Sequence, residues 1–167
     1  MLDKDPLAAQ FVGGTVYQAF LSALKYHRWS SPVNGTVEKV TAIPGTYYAE
    51  SPEMGFTNPK GPDSSGPNLS QGYITSIAAR LIMYIRADNP KIGLIVFVAV
   101  GMAEVSTCEA TVRAGDRIRK GDELGMFHFG GSTHCLLFGP DTKVTFAPEC
   151  NKPGSDVELN SPIATVE

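Results

Sequence analysis

Residues 121–140 read GDELGMFHFGGSTHCLLFGP, a strand-like apolar run broken at its centre by Gly130-Gly131 and then Ser132. Glycine costs a strand both side-chain packing and chain entropy, so a pair there marks a bulge or a close approach of backbone. A nucleophilic hydroxyl directly after the pair is a candidate for chemistry on its own backbone. Taken alone, GGST also reads as a plain Gly-Gly bulge followed by two hydroxyl residues. The rest of the chain decides between the two.

Working outward, Met126 to Phe129 and Thr133 to Phe138 read as strands on either side of the glycines. Ala114 to Gly125, AGDRIRKGDELG, reads as a turn-rich hairpin leading into the first of them. Leu81–Arg86, Ile92–Val100 and Val105–Val112 read as strands of a core sheet, and Lys143–Ala147 as a further one. Asn34-Gly35 is a hairpin-type turn signal between Val33 and Val37. From Pro6 to Tyr26 the residues Phe11, Val12, Val16, Ala19, Phe20, Ala23 and Leu24 recur at helical spacing, with Asp5-Pro6 as a start signal. Gly13-Gly14 interrupts that pattern, which makes Thr15 an alternative first residue. Residues 51–72 hold four Pro and four Gly among 22, a loop of a length that suggests a lid over a site. The expected fold is a β-rich α+β domain over residues 1–167. Its core is a barrel-sandwich-like antiparallel sheet with an N-terminal helix packed against it. SPVNGTV paired with VRAGDRIRKGDELG is reminiscent of lipoyl- and biotinyl-type domains, but Asn34-Gly35 occupies the turn where a carrier lysine would sit.

Composition narrows the function. The 167 residues are 43% apolar and 19% charged with a net charge of −3, ordinary for a globular domain long enough to bury a core. No Lys/Arg run marks a nucleic-acid surface. The longest apolar stretch, Ile92 to Ala103, is too short to cross a bilayer. The segment LDKDP near Met1 is no signal peptide, so the expected compartment is cytoplasmic. Cys108, Cys135 and Cys150 form no CxxC and read as free thiols. His27, His128 and His134 show neither HExxH nor a Cys/His ligand spacing, so no metal site is expected.

Four segments together, YHRWSSPVNGTV (26–37), IPGTYYA (43–49), GMAEVSTCEATV (101–112) and KGDELGMFHFGGSTHCLLF (120–138), resemble the phosphatidylserine decarboxylase family of pyruvoyl enzymes. They occur in the family's order and are most similar to its soluble fungal branch, which contains aromatic amino-acid decarboxylases. The resemblance implies that Ser132 attacks the carbonyl of Gly131 and that the chain divides into 1–131 and 132–167. Ser132 would become a pyruvoyl group, an electron sink for decarboxylation of a small amino acid, aromatic ones included. His27 matches the family's first histidine and would be the acid/base that protonates the carbanion left by CO₂. The implied partner is a small-molecule substrate, and family enzymes often assemble as homodimers.

The sequence departs from the family pattern at Ser30, where a second histidine stands three residues after the first. A serine hydroxyl takes up no proton near neutral pH. The family's N-terminal region, with the aspartate that orients that histidine, is not part of this sequence, and Asp3 and Asp5 are merely nearby acids. His134, two residues beyond Ser132 and so on the same strand face, is a candidate replacement base. The expected site gathers Ser132, Gly131, His27, Ser30 and His134 under the 51–72 loop. The alternative is an uncleaved family member that binds a small molecule or uses His27 for a non-pyruvoyl reaction such as a cyclisation or isomerisation. A serine hydrolase fits poorly, because GGSTH is not GxSxG.

Overall fold

The structure is a computed structural model that describes residues 1–22, 25–47, 49–55, 57–61, 63–102, 107–128, 132–152 and 154–167. Its strands are β1 (Thr15–Leu21), β2 (Arg28–Ser30), β3 (Gly35–Ile43), β4 (Arg80–Ala87), β5 (Leu94–Gly101), β6 (Thr107–Ala110), β7 (Arg117–Ile118), β8 (Glu123–His128), β9 (Ser132–Phe138), β10 (Val144–Phe146) and β11 (Ala164–Val166). Two short helices, α1 (Gly66–Leu69) and α2 (Gln71–Ile77), precede β4. The main sheet runs β1-β9-β5-β4-β3-β7, a second sheet runs β2-β8-β6, and β10 pairs with β11. Every pairing between these strands is antiparallel. The expected β-rich, sandwich-like architecture is the observed one. No helix among the described residues is long and apolar enough to cross a membrane.

The central strands are continuous apolar runs because the main sheet is covered on both faces. Leu81, Met83, Ile85, Ile95, Phe97, Ala99, Leu136 and Phe138 point into one core, which Trp29, Leu124 and Phe127 of the second sheet close. The alternate residues Ile82, Tyr84, Val96, Val98, Val100, Cys135 and Leu137 point into the other core, which Phe11 and the α2 residue Ile74 close. A two-sided sheet loses the polar half of the period-2 pattern.

The N-terminal helix is not observed. Pro6–Phe11 forms one 3₁₀ segment, capped by Asp5, whose Oδ1 accepts from the Leu7 N–H at 3.0 Å. The chain then turns at Gly13 (φ +78°) and enters β1. A Cβ at Gly14 would lie 2.0 Å from the Phe138 carbonyl oxygen, so the glycine pair lets the chain press flat against β9. Thr15, Val16, Tyr17 and Phe20 are strand formers, and all seven residues of β1 pair with β9. The apparent helical spacing of Val16 and Phe20 is a strand face: both point outward, 52% and 45% exposed, while Tyr17 is buried. Residues 23 and 24 lie outside the described residues.

Two expected hairpins are instead crossings between sheets. Asn34-Gly35 joins β2 of the second sheet to β3 of the main one, and residues 119–122 join β7 of the main sheet to β8 of the second. The crossings are bonded together rather than folded back on themselves. The Asn34 carbonyl accepts from Asp88 N, its side chain accepts from Lys120 N, and Gly121 N donates to the Ser31 carbonyl at 2.8 Å. The 51–72 segment also departs from expectation. It holds α1 and the start of α2, with Ser70 Oγ accepting from Ser51 N and the Gln71 carbonyl accepting from Gln18 Nε2 of β1. Ile74 of α2, just past the segment, packs into the second core.

Candidate active site

Ser132 is the first residue of β9, between Leu21 of β1 and Gly101 of β5. Gly101 contributes no side chain beside it. Strand alternation turns Ser132 and His134 toward the core between the two sheets, with Leu136 and Phe138 farther along the same face. Ser132 is fully buried, and its Oγ has no hydrogen-bond partner among the described residues. Thr133, facing the other way, is held by a 2.9 Å bond from its Oγ1 to the Ala19 carbonyl. The contrast between the neighbouring hydroxyls shows that the strand does not leave side chains unsatisfied by default.

The opposing surface comes from β2 and β8. His27 lies just before β2, where its carbonyl accepts from Phe127 N at 3.0 Å. Its Nδ1 lies 2.6 Å from the Lys25 carbonyl oxygen, which makes Nδ1 the protonated nitrogen. Nε2 then carries the lone pair of the neutral ring. That Nε2 is buried without a partner. Trp29, two residues on and 4% exposed, likewise buries its indole N–H with nothing to accept it. Its ring packs edge-on to Phe127 at 4.9 Å and tilted on Phe97 of the main sheet at 5.6 Å. Trp29 lies within the YHRWSSP segment, whose family resemblance assigns a role to His27 and none to Trp29. Its i, i+2 relation to His27 was the available signal.

A chain of aromatic contacts spans the interface. His27 packs on Phe127, Phe127 on Trp29, Trp29 on Phe97, and Phe97 stacks on His134 at 5.7 Å with 15° between the rings. Tyr17 lies against the other side of His134 at 6.1 Å. An edge of His134 reaches solvent, but the stacked ring is enclosed, and desolvation brings its pKa down to about 4. It is therefore a neutral imidazole near neutral pH.

The structure brings Ser132, His134, His27 and Trp29 to the facing surfaces of the two sheets. Ser30 lies farther along β2, opposite Glu123, and no hydrogen bond joins it to Ser132, His27 or His134 among the described residues. Gly131 lies outside the described residues. Asp5 is bonded to Lys39 at 2.5 Å and caps the first turn on the far side of the main sheet. No cluster of three or more metal-ligating side chains occurs among the described residues. A surface cleft of about 470 Å³ lies elsewhere, at the sheet crossings among Asn34, Asp88, Arg117, Ile118, Arg119 and Asp122. Arg117 there is already held by both oxygens of Asp88. The unpartnered Oγ of Ser132, Nε2 of His27 and Nε1 of Trp29 lie on the facing surfaces of the two sheets, away from that cleft.

The family described as phosphatidylserine decarboxylase matches residues 1–165. The chain is 51% identical to the decarboxylase iboD of Amanita muscaria over 172 residues, covering 99% of this chain and 49% of that protein. It is 46% identical to an L-tryptophan decarboxylase of Psilocybe cyanescens over 168 residues, covering 99% and 38%. It is 34% identical to phosphatidylserine decarboxylase proenzyme 3 of Schizosaccharomyces pombe over 134 residues, covering 80% and 12%. The chain thus spans about half, or less, of the length of these relatives.

Proposed function

This chain belongs to the phosphatidylserine decarboxylase family, and from that premise we propose that it is a pyruvoyl-dependent decarboxylase of a small amino acid, aromatic ones included. Ser132 is the source of the pyruvoyl group. One observation carries the reading: Ser132 Oγ, His27 Nε2 and Trp29 Nε1 are buried on the facing surfaces of two sheets without partners. Native interiors satisfy nearly all such atoms, so three of them on one interface call for an explanation, and a catalytic or binding role is one.

The residues present fit the group. An unbonded Oγ at the first position of β9, beside Gly101, is free to turn toward the preceding carbonyl. Attack by Oγ on the Gly131 carbonyl carbon forms an ester bond and breaks the peptide bond to the Ser132 nitrogen. Elimination then breaks the Cβ–Oγ bond, and residues 1–131 leave as a carboxylate. Water replaces the nitrogen of the remaining dehydroalanine, releasing ammonia. The resulting ketone supplies an electron sink for the bond to the departing carboxylate. His27, with its Nδ1–H fixed on Lys25, turns the lone pair of Nε2 into the interface, where that atom takes up a proton and hands it on to the carbanion.

His134 is the imidazole on Ser132's own strand face, and on this reading it takes up the Oγ proton. Its depressed basicity makes maturation slow, and Ser30 contributes no base. A second reading follows from the same feature. No base is hydrogen-bonded to Ser132 Oγ, which favours an uncleaved chain that uses His27 in a non-pyruvoyl reaction.

Intact mass under denaturing conditions separates the two. Two fragments meeting between Gly131 and Ser132, with CO₂ release that Ser132→Ala abolishes, are expected. A single species at 17.9 kDa that retains activity as Ser132→Ala would overturn the pyruvoyl reading.

A further inference from the structure

We infer that the indole N–H of Trp29 is the donor that receives the substrate's carboxylate between the two sheets, an assignment that rests on the decarboxylase reading above. An indole N–H only donates, so its missing partner must be an acceptor and an ammonium group is excluded. The ring is fixed in place. Its Cε3–Cζ3 edge lies over Gly125, so close that a Cβ there would sit 2.7 Å from Cζ3. Nε1 lies on the opposite edge of the indole from Cε3–Cζ3, so it is not the edge packed on Gly125.

The surroundings favour a carboxylate that is about to lose its charge. No Lys or Arg is among the described residues buried between the sheets. The buried Arg80 belongs to the other face, where it bonds the carbonyls of Met1 and Ala78. A carboxylate at Trp29 therefore meets one neutral donor and aromatic walls. It is oriented by that donor yet poorly compensated for lost hydration. Departure of CO₂ removes that uncompensated charge, so the arrangement raises the ground state more than the transition state. A guanidinium at the same point would bind the carboxylate more tightly and hold back its loss.

The chain contains a single tryptophan, so a ¹⁵N-labelled sample gives one indole N–H correlation that reports on this atom alone. We would titrate the full chain with 3-phenylpropionate, with 3-phenylpropionamide, which keeps a carbonyl without charge, and with 2-phenylethylamine, which has no acceptor oxygen. The expected result is a downfield shift with 3-phenylpropionate only. Trp29→Phe, which keeps a ring and removes the donor, should weaken 3-phenylpropionate about 10-fold or more, the worth of a hydrogen bond to a charged group. An indole signal unmoved at about 10 mM, where even a millimolar site is largely filled, overturns the assignment. So does an equal shift with the amide, or a Trp29→Phe protein that binds as well as the parent. Intact mass of the same sample keeps the two ideas apart. An uncleaved chain whose indole signal still moves retains the carboxylate site and loses the decarboxylase reading.

Discussion

Replacing Gly125 by alanine tests whether the packing of Trp29 is as tight as described. The new Cβ would lie 2.2 Å from the Glu109 carbonyl oxygen and 2.7 and 2.8 Å from Cζ3 and Cε3 of Trp29. Neither neighbour is a loose side-chain end. The carbonyl belongs to β6, and moving it opens the β6–β8 ladder, in which Ala110 pairs with Gly125 itself. Moving the indole breaks its contacts with Phe127 and Phe97. Overpacking a core costs about 1–3 kcal/mol, and each lost aromatic pair adds about 0.5–1.5 kcal/mol. The sum is a destabilisation of about 2–6 kcal/mol, or roughly 5–20 °C in Tm for a domain of this size. Urea unfolding followed by the emission of the sole tryptophan measures it, and the native emission should shift to the red as the indole is displaced. Gly72→Ala is the control: it lies in α2 with nothing within 4 Å of the added methyl, and should be neutral or stabilising by up to about 1 kcal/mol. A Gly125→Ala protein with unchanged emission and a loss under about 0.5 kcal/mol, the range of an uneventful surface change, would refute the seat assigned to Trp29.

Three further outcomes follow. If the chain is cleaved before Ser132, the two pieces should co-elute under native conditions, because β9 keeps seven register pairs with β1 and seven with β5; pieces that part without denaturant would contradict the sheet order. His27→Gln should lower CO₂ release per cleaved chain by about 10²–10⁴, the usual worth of a positioned acid/base, while leaving cleavage at Ser132 intact; equal loss of both would assign His27 to maturation or folding instead. His134 has its pKa lowered from 6.5 to about 4, so between those values the unfolded chain binds more protons than the native one. Stability should therefore fall as pH drops from about 6.5 to about 4, by up to about 3 kcal/mol. His134→Phe, which keeps the stack on Phe97, should lack that loss; an identical pH dependence in urea titrations would show that burial of the ring is not its cause.

Where sequence reading succeeded and failed has a physical pattern. β4, β5 and β9 were legible because burial on both faces makes them short unbroken apolar runs, which also fit no exposed helix. β1 was not, because what makes it a strand is pairing with β9 far along the chain, together with the close approach of Gly14 to Phe138. Its outward Val16 and Phe20 happen to be four apart, and i, i+4 is the helix signal. The crossings at Asn34 and at residues 119–122 carry the turn chemistry of hairpins, and no local feature says that the next strand belongs to another sheet. Ser132 and His27 stand out in the sequence by motif, and the structure buries the Oγ of one and the Nε2 of the other without a partner among the described residues. The part played by Trp29 was hidden because it depends on Gly125 having no side chain and on an atom lacking a partner. Both are properties of packing.

The position of Ser132 also reconciles two demands that otherwise conflict. A chain that cuts itself inside a sheet risks losing the sheet, and a nucleophile in a loop is held too loosely to find one carbonyl. The proposed cut before Ser132 would leave all seven described pairs of β9 with β1, and all seven with β5, on the C-terminal piece. The same placement buries Oγ at the mouth of the inter-sheet core, where it has no acceptor to satisfy it. Leaving such a group unbonded costs about 1–3 kcal/mol, small beside the apolar burial on both faces of the sheet.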